Sequence, residues 1–225
     1  GGNLLATYTL MLLCLLAFIG VTLVIGVPLL LSGKPNLPKG VFANGLLYFA
    51  CIGTGFMMVQ IPLIQRFSVY LGHPVYAVSV LLFSMIIAAG LGSSLSDRIS
   101  VERDKRWTLA LPLTIVVLIS AIYLLSGPII QATIDQGLVA RCLIVILLVA
   151  TAAIPMGMCF PLGLRLFRQY SDDCLPWMWG VNGATGVLAS VLAVAISMWS
   201  GINTSLLVAI ACYALLIVPA RNLSR

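Results

Sequence analysis

Seven apolar runs separated by short polar connectors make up nearly the whole chain: Leu4 to Leu31, Ala43 to Gln65, Val75 to Leu95, Trp107 to Ser126, Leu138 to Phe160, Trp177 to Trp199 and Ile202 to Pro219. A helix needs about 20 residues to cross a bilayer, so each run predicts one membrane-spanning helix. The fold class expected is all-α, a polytopic transmembrane bundle forming a single domain over residues 1–225. Between the second and third runs only Tyr70-Leu71-Gly72-His73-Pro74 intervenes, which predicts an antiparallel hairpin with Pro74 opening the following helix.

Within the runs, small residues recur at helical spacing. Ser84, Ala88, Gly92 and Ser96 lie four apart in the third span. Asn182, Gly186, Ala189, Ala193 and Ser197 share one face of the sixth, with Gly183 beside them. Such faces let helix backbones approach closely in lipid. Proline interrupts the second span at Pro62 and the fifth at Pro155 and Pro161. Each proline removes a helical N–H and frees the carbonyl four residues earlier, here on Met58, Thr151 and Gly157. The fifth helix is therefore expected to distort in its second half. Pro155 to Gly201 is expected to be the packed centre, with the fifth and sixth helices in close contact and Asn182 reaching the freed carbonyls.

Composition supports the membrane reading: 61% of the 225 residues are hydrophobic and 8% charged, against roughly a quarter charged in soluble domains. The net charge of +6 is spread over connectors and helix ends, where it reports topology and excludes a nucleic-acid surface. With strict alternation, Lys34, Lys39, Arg98, Arg103, Lys105, Arg106, Arg165, Arg168, Arg221 and Arg225 fall on one side and Arg66 and Arg141 on the other. The positive-inside rule then places the N-terminus outside and the C-terminus in the cytoplasm of a plasma-membrane protein. The opening Gly-Gly-Asn, with no Met and no basic region before the first apolar run, reads as the start of a spanning helix in a piece of a longer protein. The six cysteines show no C-x-x-C spacing, so they read as small core residues. No metal or cofactor is expected. Gly53-x-Gly55 lacks the third glycine and the strand-turn-helix context of a dinucleotide fingerprint.

Candidate ligand or pathway residues are few. Gln60 and Gln65 flank Pro62, an arrangement that either builds a polar site at a broken helix or bonds to a neighbouring helix. Arg66, His73, Asp135 and Arg141 fall near the outer face. His73 either caps a turn or senses pH or a ligand. Arg141 either pairs with Asp135 or joins Arg66 in facing an anionic ligand, and snorkelling is a further alternative. Asn182 serves either as structural glue or as a ligand contact.

Three ordered blocks carry a family resemblance: YFACIGTGFMMVQIPLIQRFSVYLGHPVYAVSVLLFSMIIAAGLGSSLSD, GMCFPLGLRL and PWMWGVNGATGVLASVLAV. Through them the chain resembles, over roughly Leu46 to Leu215, the membrane region of spermidine synthase-like proteins, in which transporter-like helices accompany an aminopropyltransferase-like domain. The resemblance implies a membrane part that anchors or serves such a domain, with catalysis elsewhere. Where that family carries a glutamate, this chain has Gln60. The acids Asp97, Glu102, Asp104, Asp135, Asp172 and Asp173 all lie in connectors, and none follows a strand-glycine pattern that would hold a cationic amine. Two other functions are open on the same residues. One is a transporter-like module for a small polar or charged solute, with a pathway near Gln60, Pro62, Arg66, Arg141 and Asn182. The other is a structural assembly domain built on the small-residue faces, the bilayer and further copies being its partners.

Overall fold

The computed structural model describes residues 2–31, 33, 37–99, 105–168, 170 and 174–224. Much of the connectors at 32–40, 99–107 and 169–176 lies outside the described residues, including Lys34, Glu102, Arg103, Asp104, Asp172 and Asp173, as does Arg225. The charge alternation expected above therefore rests in part on residues without a described position.

The described chain is helical throughout: α1 (Gly2–Val21), α2 (Val27–Leu31), α3 (Lys39–Leu71), α4 (Pro74–Ser96), α5 (Trp107–Thr133), α6 (Leu138–Arg168), α7 (Leu175–Ser200), α8 (Ile202–Leu215) and α9 (Ile217–Leu223). With α1 joined to α2 and α8 to α9, these make seven helices long and apolar enough to cross a membrane. Both junctions have a proline cause. Pro28 offers no N–H to Val24, and the turn ahead of it, Thr22–Gly26, widens to π spacing, with Val27 N–H bonded to the Thr22 carbonyl. Pro219 likewise leaves the Leu215 carbonyl without its helical donor, and the helix breaks at Leu216. In contrast, and against the interruptions expected from the sequence, α3 continues through Pro62 and α6 through both Pro155 and Pro161.

α3 is the central post. It packs on α4, α6, α8, α9 and α7, while α4, α6, α5, α8 and α7 follow one another around it. To α5 it reaches through long side chains, with Arg66 donating to Ser126 Oγ and the Tyr70 hydroxyl bonded to Thr133 at 2.7 Å. The ring is open between α7 and the α4–α6 pair, since α4 and α7 do not pack together and α6 barely meets α7. α1 leans on α7, and α2 adds Leu29 against Gly180.

Two helix pairs dominate. In α4 the small-residue face Ser84, Ala88, Gly92 and Ser96 is buried, and its partner is α6. There Gly92 lies over the Ile154 backbone, and Gly157 lies over the Ala89 backbone. The second pair is α3 with α7, where Gly53 sits against the Asn182 carbonyl and Thr185. This corrects the expectation for Pro155 to Gly201: the small faces of α6 and α7 each recruit a different helix. A face lacking side chains fixes how closely a neighbour approaches and leaves open which neighbour comes.

Both ends of the bundle are tied by cations on helix carbonyls, which lack intrahelical donors in the last turn. Arg141, at the start of α6, donates to the Tyr70 carbonyl at 2.7 Å and lies 5.8 Å from that ring. Arg165, near the end of α6, donates to the carbonyls of Ser96 and of Ile99, the latter at 3.1 Å. At the hairpin tip Gly72 takes φ +80° and ends α3, and His73 Nδ1 accepts from Val75 N–H at 3.2 Å to cap α4. His73→Ala is expected to lower stability by up to about 1 kcal/mol, and His73→Asn to restore most of it, read as thermal midpoints in mild detergent.

Candidate functional site

The opening in the ring is a cleft of about 580 Å³. Its floor is Ile52, Gly53, Phe56 and Met57 of α3 with Tyr213 of α8; α4 and α6 form one wall and α7 the other. The α4 and α6 wall and the first half of the α7 wall lie in the half of the bundle that carries Arg165, while the floor on α3 and α8 lies near mid-span. At the end nearer Arg165, Phe160 and Trp179 meet edge to face with centroids 4.5 Å apart. Trp179 is 59% exposed, so its ring stands at the mouth.

The cleft exists because of where glycine stands. On α4, Gly92 faces α6 and closes that pair, whereas Gly90, two residues away, faces the cleft with no atom within 4 Å of where a Cβ would lie. On α7, Gly183 and Gly186 keep the opposite wall low; the nearest atom to a Cβ on Gly183 is Ile25 Cδ1 at 4.0 Å. Side chains at these positions would fill the space.

The lining is mainly apolar and aromatic, and none of its side chains is charged. Its polar residues are Ser93, Asn182 and Ser190, with Tyr213 and Trp179 each carrying one polar group on an aromatic ring. Pro161 adds to these, because the Gly157 carbonyl at the wall lacks its helical donor. Ser190 donates to the Val187 carbonyl at 2.7 Å. The arrangement accommodates an apolar body and offers neutral hydrogen-bonding groups to a polar end. Among the described residues no group of three or more potential metal ligands occurs.

The candidate residues scatter with respect to this cleft. Asn182, Gly183, Gly186 and Pro161 line it; Gln60, Pro62, Gln65, Arg66, His73, Gly92, Arg141 and Pro155 do not. Asn182 turns to α3, and no hydrogen bond joins it to α6 among the described residues: its Oδ1 would lie 3.1 Å from a Cβ on Gly53. Gln60 is buried on α3, and the buried Oε1 of Gln65 has no hydrogen-bond partner among the described residues. Arg66 and Arg141 do not converge on a shared position, since Arg66 donates to Ser126 and to Asn203 Oδ1 while Arg141 serves Tyr70. Asp135 is exposed and forms no ion pair with Arg141 among the described residues. Reading the sequence misses Ile52, Phe56, Met57, Ala89, Gly90, Ser93, Phe160, Trp179, Val187 and Ser190. Most are ordinary apolar residues of a span; only Gly90, a glycine off the four-residue ladder, carries a local signal.

No protein-family model, curated protein or solved structure matches the chain.

Proposed function

We propose that this chain is a membrane-embedded binding domain whose working part is the cleft, and that it takes up a neutral amphiphilic molecule from the lipid phase. The observation that carries this reading is the gap in the ring around α3, with an apolar, uncharged lining and Asn182 and the Gly157 carbonyl as polar end groups. A cationic amine would leave water for a lining with no acidic partner, at a cost of several kcal/mol, which disfavours a polyamine within the cleft.

The test is Gly90→Leu, which fills the cleft from α4 without touching a neighbour. Leucine also favours the helix over glycine by roughly 0.8 kcal/mol, so the fold is expected to hold. In proteoliposomes carrying a photoactivatable diacylglycerol, wild-type protein is expected to be labelled at Phe56, Phe160 and Trp179. The variant is expected to lose about tenfold of that labelling and keep labelling at the outward Phe83. Equal labelling of the cleft residues in both proteins sinks the reading.

A second reading is that this domain anchors or serves an aminopropyltransferase-like domain of the same protein. It is favoured by one observation: nearly all residues lining the cleft come from the three blocks that carry the family resemblance. On this reading the chain supplies no catalysis itself, lies in the plasma membrane with its N-terminus outside, and presents its Arg165 end to the cytoplasm. A full gene and its neighbours without any aminopropyltransferase-like sequence would remove its basis. Reporter fusions at the C-terminus that are active only outside the cell would reverse the orientation. The transporter pathway through Gln60, Arg66 and Arg141 gains no support from the geometry, because these side chains serve separate contacts.

A further inference from the structure

At the Arg165 end, on the side away from the cleft, the start of α5 and the end of α9 enclose a concavity of about 370 Å³. It is lined by Lys105, Arg106, Thr108, Leu109, Arg221 and Ser224. Three of these side chains are cationic, and none of the described residues lining it is acidic. The two hydroxyls fasten the segments that bear the cations: Thr108 donates to the Lys105 carbonyl at 2.6 Å and Ser224 to the Arg221 carbonyl at 2.9 Å. The N-terminal end of α5 points its partial positive charge to the same place.

The surroundings choose between a soluble anion and one carried by the bilayer. Trp107, beside the concavity, is 39% exposed, as expected of an indole at the headgroup level. Leu109 lines the concavity itself, and Leu113 and Val117 continue it at four-residue steps up α5, with exposures of 39, 44 and 64%. A basic concavity at the membrane surface thus opens onto an apolar stripe that runs toward the middle of the span. We propose that this is a binding site for an anionic phospholipid, its phosphate between Lys105 and Arg221 and an acyl chain along Leu109, Leu113 and Val117. The site is independent of the cleft, being built from α5 and α9, neither of which contributes to the cleft lining.

The experiment is native mass spectrometry of the delipidated full chain with added phosphatidylglycerol, phosphatidylcholine or inorganic phosphate. Each cation near an anionic surface is worth about a factor of five. The Lys105→Gln/Arg221→Gln double variant, whose two side chains are exposed, is therefore expected to retain phosphatidylglycerol roughly 25-fold less tightly, with phosphatidylcholine weak and equal in both proteins. Leu113→Ser is expected to weaken phosphatidylglycerol while leaving inorganic phosphate unchanged. Equal phosphatidylglycerol retention by wild type and double variant overturns the site. Inorganic phosphate that binds as tightly and displaces the lipid overturns the lipid assignment.

Discussion

Gly92→Ala is expected to separate α4 from α6 and lower stability by about 3 kcal/mol or more, the upper part of the range for overpacking. The added methyl would lie 1.9 Å from the Ile154 carbonyl oxygen and 2.8 Å from its carbon. Both are backbone atoms of a helix held along its length, so no side-chain rotation relieves the collision. Gly157→Ala meets the Ala89 carbonyl oxygen at 2.1 Å on the same crossing and should cost a similar amount. The double variant should cost clearly less than the sum, because helices already forced apart by one methyl have room for the second. Gly90→Ala, pointing into open space, is the control and should be neutral or slightly stabilising. Thermal midpoints of the detergent-purified proteins decide it: a wild-type midpoint for Gly92→Ala would show that α4 and α6 do not meet there.

The second large effect belongs to the other helix pair. Gly53→Ala puts a methyl 2.5 Å from the Asn182 carbonyl oxygen and 2.6 Å from Thr185 Oγ1. The Thr185 side chain can rotate away at the loss of its bonds to the carbonyls of Val181 and Asn182; the Asn182 backbone can shift only with α7. A loss of about 2 kcal/mol is expected, and it should be accompanied by weaker labelling in the cleft, since Gly53 and Asn182 both line it. Gly186→Ala, one turn along the same contact, should be tolerated, because its nearest neighbour is the Gly53 carbonyl at the ordinary distance of 3.8 Å. If Gly186→Ala proves as costly as Gly53→Ala, the crossing point of α3 and α7 is misplaced.

These two crossings mark the boundary between what is legible in the sequence and what is not. The spans and the α3–α4 hairpin follow from local rules, since hydropathy and the short connector ahead of Pro74 act over a few residues. The burial of Ser84, Ala88, Gly92 and Ser96 follows from their spacing. The prolines inside α3 and α6 end neither helix, because the turns on both sides of Pro62, Pro155 and Pro161 keep their hydrogen bonds. Local rules also put Asn182 against the wrong helix and left Arg141 open between Asp135, an anionic ligand and snorkelling, whereas it donates to a carbonyl on α3, a partner 71 residues away.

What the sequence determined alone is therefore the set of helices and the faces on which each admits a close neighbour. The tertiary structure decided the pairing of those faces, α4 with α6 and α3 with α7, and with it the cleft left where the ring fails to close. The physical reason is that lipid and a neighbouring helix are alike to an apolar side chain. Hydrophobicity marks residues for the membrane without distinguishing a packed interface, a lipid-facing surface and the wall of a cavity; only the joint fit of all the helices sets Gly92 against α6 and leaves Gly90 beside a cleft.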